Sequence, residues 1–119
     1  MREKPPYGPA IEAQNKTLTA AELSAELAKD ARTIDYDYLL NRAGNQNEGA
    51  KRRVYYVAMD ELARMPGGIE RRKQATNEYY TSHGPDGDEV WWIARRLNEL
   101  MGSPLKLDPL PEWDKASND

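Results

Sequence analysis

The sequence predicts an all-α fold: a small bundle of about four to five helices with an extended N-terminal arm and a proline-rich C-terminal tail. Three observations carry this. Apolar residues recur at spacings of three and four along several segments between residues 20 and 101. Helix start and stop residues punctuate those segments. No alternating strand pattern persists beyond a few residues. At 119 residues the chain has room for one domain, so the expected organisation is an arm over 1–16, a helical domain over 17–102 and a tail over 103–119.

Pro5, Pro6, Gly8 and Pro9 exclude a helix from the arm. The first helix should begin after Thr19, because Thr19 and Glu22 have the spacing of a capping box. Ala20, Leu23, Leu27 and Ala31 then share a face. A second, short helix is expected from about Asp35 to Ala43, stopped by Gly44. The third should run from about Glu48 to Arg64, with Asn47 available as its cap. Pro66-Gly67-Gly68 breaks it, and a fourth helix follows from Ile69 to about Thr81. After the turn His83-Gly84-Pro85-Asp86-Gly87, a fifth helix, capped by Asp86 or Asp88, should reach Met101 and stop at Gly102, Ser103 and Pro104.

Two of these helices carry more apolar surface than one core stripe needs. On the third, Val54, Ala58, Leu62 and Met65 form one face and Tyr56, Met59 and Ala63 a second. Such a helix is either the centre of the bundle or paired with a second copy of the chain. On the fifth, Val90, Ala94, Leu97 and Met101 form the stripe, while Trp91 and Trp92 point more than about 100° from its centre. Arg95 and Arg96 follow the two tryptophans by four residues, which sets both guanidinium groups within reach of the indole faces. Either the arm or tail of the same chain covers these rings, or a partner does. In the tail, Leu105, Leu107, Leu110 and Trp113 are apolar anchors on a segment stiffened by Pro104, Pro109 and Pro111. That segment suits a groove, its own or another protein's.

Charge is unevenly spread. Residues 42–73 hold eight basic and four acidic side chains, whereas the chain as a whole is at -3. Lys51, Arg52 and Arg53, followed by Tyr55 and Tyr56, and Arg71, Arg72 and Lys73, followed by Tyr79 and Tyr80, are the basic clusters. Together with the Pro-Gly-Gly turn they outline a helix-turn-helix over 48–81, in which the fourth helix would read DNA. Against that, the chain is acidic overall and the fourth helix has few apolar residues to seat it.

Catalytic chemistry finds little support. There is no cysteine, no glycine-rich phosphate loop and no serine elbow. His83 is the single histidine, and Asp86, Asp88 and Glu89 beside it match no calcium loop. Asp35 and Asp37 would diverge by about 200° on a helix and so could not share an ion there. No cofactor, metal or catalytic residue is expected. The longest apolar runs are four or five residues, far short of a membrane span of roughly 20. Met1-Arg2-Glu3-Lys4-Pro5-Pro6 has no apolar segment behind its charges, so no secretory signal is expected and a cytoplasmic setting is.

The sequence therefore points to a non-enzymatic protein–protein interaction module: an adaptor, inhibitor or assembly component, of a size that suits a phage or mobile element. It would engage a protein partner or its own copies through Trp91, Trp92, Arg95, Arg96, Leu105, Leu107, Leu110 and Trp113. The alternative is a small DNA-binding regulator acting through Lys51, Arg52, Arg53, Arg71, Arg72 and Lys73.

Overall fold

The computed structural model of the chain describes residues 17–43, 48–82 and 89–111. Five α-helices and one 3-10 turn form among the described residues, with no strand. They are α1 (Ala20–Leu27), the 3-10 turn Ala31–Thr33, α2 (Tyr36–Arg42), α3 (Glu48–Arg64), α4 (Gly68–Ser82) and α5 (Glu89–Leu100).

The helix ends follow from the side chains at them. Thr19 and Glu22 close the capping box: Glu22 N–H donates to Thr19 Oγ1 at 3.1 Å, and Thr19 N–H to Glu22 Oε1 at 2.9 Å. Asp35 caps α2 by accepting from Tyr38 N–H at 3.0 Å. Ala31 lies in the 3-10 turn rather than on α1, because Asp30 accepts from Arg32 N–H and restarts the chain in a tighter coil. At the end of α5, Gly102 N–H donates to the Glu99 carbonyl at 3.0 Å and Ser103 N–H to the Asn98 carbonyl at 2.8 Å. That is a Schellman stop, with Gly102 at φ +88° where a side chain would be strained. Asn47, Asp86 and Asp88, the remaining expected caps, and Gly44 lie outside the described residues.

Helices α3, α4 and α5 pack against one another as a three-helix bundle, with α1 and α2 on α3. Helices α3 and α4 run antiparallel about the Pro66-Gly67-Gly68 turn: Arg72 pairs with Asp60 at 3.1 Å, and further from the turn Tyr80 lies near Tyr56. Gly67 takes φ +79°. Gly68 sits so close to α3 that a β-carbon on it would meet the Ala63 α-carbon at 2.8 Å and collide with the Leu62 carbonyl. Helix α5 returns beside both: Arg96 reaches Glu78 of α4 and Arg95 reaches Tyr55 of α3.

Val54, Ala58, Leu62, Ala75, Tyr79, Val90, Ala94 and Leu97 fill the space between these three helices, joined by Tyr36 and Leu39 from α2. The two-faced reading of α3 resolves as a central helix on one side only. Met59 is buried with the core, whereas Tyr56 is exposed and Ala63 only partly covered.

The extended segment after α5 is part of this core. Leu105, Leu107 and Leu110 are all buried. Asn98, wholly buried on α5, donates from Nδ2 to the carbonyls of Leu105 (3.1 Å) and Leu107 (3.4 Å) and accepts from Leu105 N–H (3.1 Å). Leu110 N–H donates to Glu99 at 2.9 Å and Asp108 N–H to Asp37 at 2.8 Å, while Tyr36 N–H donates to the Lys106 carbonyl at 3.0 Å. Leu107 N–H donates within the segment, to the Leu105 carbonyl at 3.0 Å, while these other backbone groups are satisfied by side chains of α5 and by the start of α2. The arm over 1–16 lies outside the described residues, as does the tail beyond residue 111.

Candidate functional site

The residues expected to form a partner surface on α5 and the tail are turned inward. Trp92 is 2% exposed and stands against Tyr79 at 5.8 Å between ring centres. Leu105, Leu107 and Leu110 cover α5 from the side that α3 and α4 leave open. Arg95 is buried as well. It donates to the Asp108 carbonyl at 2.9 Å and to the Tyr55 hydroxyl at 3.4 Å, and lies 3.5 Å from Asp37. Its guanidinium sits 5.1 Å from the centre of the Trp91 ring, as the four-residue spacing predicts. Arg96 does not stack on Trp92: it bonds Glu78 at 2.6 Å and Glu99 at 3.3 Å. Two apolar faces on α5 mean a helix enclosed on three sides, the third by the chain's own tail. Only Trp91 and Arg96 keep partial exposure, and Trp113 lies outside the described residues.

This inner cluster has unusual electrostatics. Burial, and then the Asp108 carboxylate, push the Asp37 carboxyl up from its ordinary value, against the pull of Arg95. Burial also raises Glu78, but hydrogen bonds from Arg96 and Gln74 outweigh it and leave that carboxyl low. Burial, with a smaller push from Glu61, lifts the Tyr36 phenol to about 12. Asp37 holds the tail through the Asp108 amide, and Glu78 holds α5 through Arg96.

The basic clusters do not converge. Arg52 and Arg53 are exposed near the start of α3, with Lys51 half-buried beside them. Arg71 and Lys73 are exposed near the start of α4, where Arg72 is spent on Asp60. Because the helices are antiparallel, the two clusters sit at opposite ends of the hairpin, separated along its axis by about eight residues or roughly 12 Å.

Between them lies the feature that the sequence did not single out. Ala63 of α3 and Ile69, Arg72, Lys73, Thr76, Asn77 and Tyr80 of α4 line an open groove of about 560 Å³. Ile69 is 57% exposed and Tyr80 44% exposed, with Tyr56 on the adjoining face of α3 at 39%. Tyr80 is held at the rim by a hydrogen bond from its hydroxyl to Glu89. Arg52 reaches over the Tyr56 ring at 5.8 Å. The signal was present in the spacing: Ile69, Thr76 and Tyr80 fall on one face of α4, separate from the core pair Ala75 and Tyr79. Too few apolar residues mark that face for composition alone to reveal it.

Two further depressions are less suited to a ligand. One, lined by Glu48, Lys51, Arg52, Tyr55, Glu89, Val90 and Trp91, mixes both charge signs. The other, by Asp30, Arg32, Glu61 and Arg64 among others, is also mixed in charge. Among the described residues no group of three His, Asp or Glu side chains could hold a metal ion, and no helix is long and apolar enough to cross a membrane. His83, Asp86 and Asp88 lie outside those residues. The chain matches no family model, no curated protein and no solved structure.

Proposed function

We propose that this chain is a non-enzymatic, cytoplasmic protein-interaction module, an adaptor, inhibitor or assembly component, and that it engages its partner through the α3–α4 groove. The observation that carries the reading is the exposure of Ile69 and Tyr80 in one groove, with Tyr56 exposed on the adjoining face of α3, on a molecule that encloses Trp92 and all three tail leucines. A fold able to cover those side chains leaves this set open. Covering the part of each that is still exposed would contribute about 1 kcal/mol, enough in combination to help anchor a complex. The polar inner cluster supports a structural role instead, since its charges are used on the tail.

DNA binding is the weaker reading. An antiparallel hairpin with its cations at opposite ends lacks the steep helix crossing that lets a helix-turn-helix place its second helix in the major groove.

The test is site-specific photo-cross-linking in the cell of origin. Benzoylphenylalanine replaces Ile69 or Tyr80, with exposed Ala21 on α1 as the control. A heavier adduct from positions 69 and 80, sensitive to protease, resistant to nuclease and not formed at 21, is expected. A nuclease-sensitive adduct, or equal labelling at all three positions, refutes the proposal.

A further inference from the structure

The geometry points to an acidic amphipathic helix of a partner protein as the occupant of the α3–α4 groove, an inference that rests on the interaction reading above. Among the described residues the chain offers no strand, and its isolated bridge, Asp35 to Lys106, lies between the start of α2 and the tail, away from the groove. The N–H and C=O groups within α3 and α4 are committed to their own helices. A segment entering this groove finds few backbone partners there and must satisfy its own backbone, which a helix does.

The dimensions fit. Ile69 and Tyr80 are eleven residues apart on α4, about 16 Å along the axis, the length of three helical turns. A docked helix would place apolar residues at i, i+3 or i+4, and i+7 along that line. Ala63 keeps the floor of the groove low on the α3 side, and Thr76 does the same midway along α4.

Charge then selects the sign of the partner's outer face. Arg72 and Lys73 line the groove, and Arg52 flanks it over Tyr56. Arg53 is exposed and lies about 60° round α3 from Tyr56. Both charged residues of the groove lining are cations, Arg72 being paired with Asp60, while the acidic Glu48 and Glu89 lie in the neighbouring depression with Arg52. The surplus of cations favours carboxylates along both edges of an apolar stripe. A second copy of the chain fits poorly. A two-fold contact would set the same cations against themselves, and among the described residues no exposed apolar helix face of acidic character is offered in return. Nucleic acid fits the cations but leaves Ile69 and Ala63 without an apolar partner.

The experiment is fluorescence anisotropy on the full chain with two labelled peptides of about fourteen residues. Both carry leucines at helical a and d spacing; one has glutamates at the remaining outer positions and the other lysines. The glutamate peptide should bind at least tenfold more tightly. Ile69→Glu should weaken it tenfold or more. The double variant Arg53→Glu with Lys73→Glu should invert the preference, so that the lysine peptide becomes the tighter ligand. All substituted positions are exposed, and an unchanged circular dichroism spectrum with an unchanged thermal midpoint confirms that each variant is folded. Equal affinities for the two peptides, binding to neither, or binding that survives Ile69→Glu overturns the inference. So does self-association at these concentrations that excludes the peptide, or displacement of the peptide by a duplex oligonucleotide. Loss of the charge preference alone leaves the cross-linked partner standing, whereas absence of any protein adduct at position 69 removes both.

Discussion

Replacing Asn98 by leucine should detach the tail from α5 while leaving the helices folded. The two side chains have similar volume, so the perturbation is chemical. Three hydrogen bonds are lost, those to the Leu105 and Leu107 carbonyls and from the Leu105 amide. At about 1 kcal/mol net for each, the loss is about 3 kcal/mol. The Leu105 amide is then buried with no acceptor, which adds further cost, and about 3–5 kcal/mol in all is expected. Domains of this size hold about 5–15 kcal/mol in total, so the variant would surrender a large share.

The molecule has a cheaper route than global unfolding. Releasing residues 104–111 restores water to the orphaned groups and returns the backbone entropy of eight residues, about 1–2 kcal/mol each, which together offset the lost burial of Leu105, Leu107 and Leu110, about 1.5–3 kcal/mol for each. Urea denaturation followed by circular dichroism should therefore show a lower midpoint and a reduced m-value, because the native state already exposes part of its apolar surface. Hydrogen exchange should show the Leu105 and Leu110 amides losing protection far more than those of α3. A midpoint shift below about 0.5 kcal/mol with tail amides as protected as before would refute the clamp.

Trp92→Ala should cost about 3–5 kcal/mol, whereas Tyr80→Ala should stay within about 0.5 kcal/mol, a contrast that thermal unfolding resolves. Gly68→Ala should destabilise by about 3 kcal/mol or prevent folding, because the added β-carbon meets the α3 backbone; Gly67→Ala, in open space but at φ +79°, should cost about 1–2 kcal/mol in the same assay. Tyr36→Phe should leave the urea midpoint unchanged or raise it by about 1 kcal/mol, since the buried hydroxyl makes no hydrogen bond among the described residues. In acid, Glu78 contributes stability that is present above its unfolded value of 4.5 and lost as pH falls through its lowered folded value, and Glu78→Gln should abolish that loss. Asp37 has the opposite sign: its folded value is raised, so stability declines as pH rises from 3.8 towards that value, and Asp37→Asn should remove the decline in urea titrations at stepped pH.

Much of the helical framework could be read in advance because it depends on local chemistry. Thr19 with Glu22, Asp35, the Pro66-Gly67-Gly68 turn and Gly102 act within a few residues of where they stand. The bounds of α3 coincide with the expected ones for the same reason. What could not be read is which of two apolar faces finds a cover. Trp92 and Tyr56 both stand on a second apolar face of their helices, yet Trp92 is enclosed and Tyr56 is open. Trp92 is enclosed against Tyr79 of α4, and the flank of α5 that carries Arg95, Asn98 and Glu99 is closed by residues 105–110, whose route is set by Asn98 and by Asp37, 61 residues before it in the chain.

Asn98 also shows why aromatic and arginine content does not by itself mark a surface. Tryptophan and arginine are enriched at interfaces because they combine apolar area with polar reach, and the inside of a small bundle needs the same combination wherever an extended segment is packed. The tail brings backbone groups that no helix can bond, so α5 must present Asn98, Glu99 and Arg95 among its apolar residues. A helix that carries both kinds of side chain on its faces is therefore as well suited to hold its own chain as to hold another. Helix α4 has the opposite character: Ile69 and Tyr80 sit among Lys73, Asn77 and Thr76, with no segment of the described chain laid across them. An apolar residue set in a polar face has no such internal role in a hairpin already closed by Ala75 and Tyr79. That contrast is why the proposed interaction surface lies on α4, the helix with the fewer apolar residues, rather than on α5.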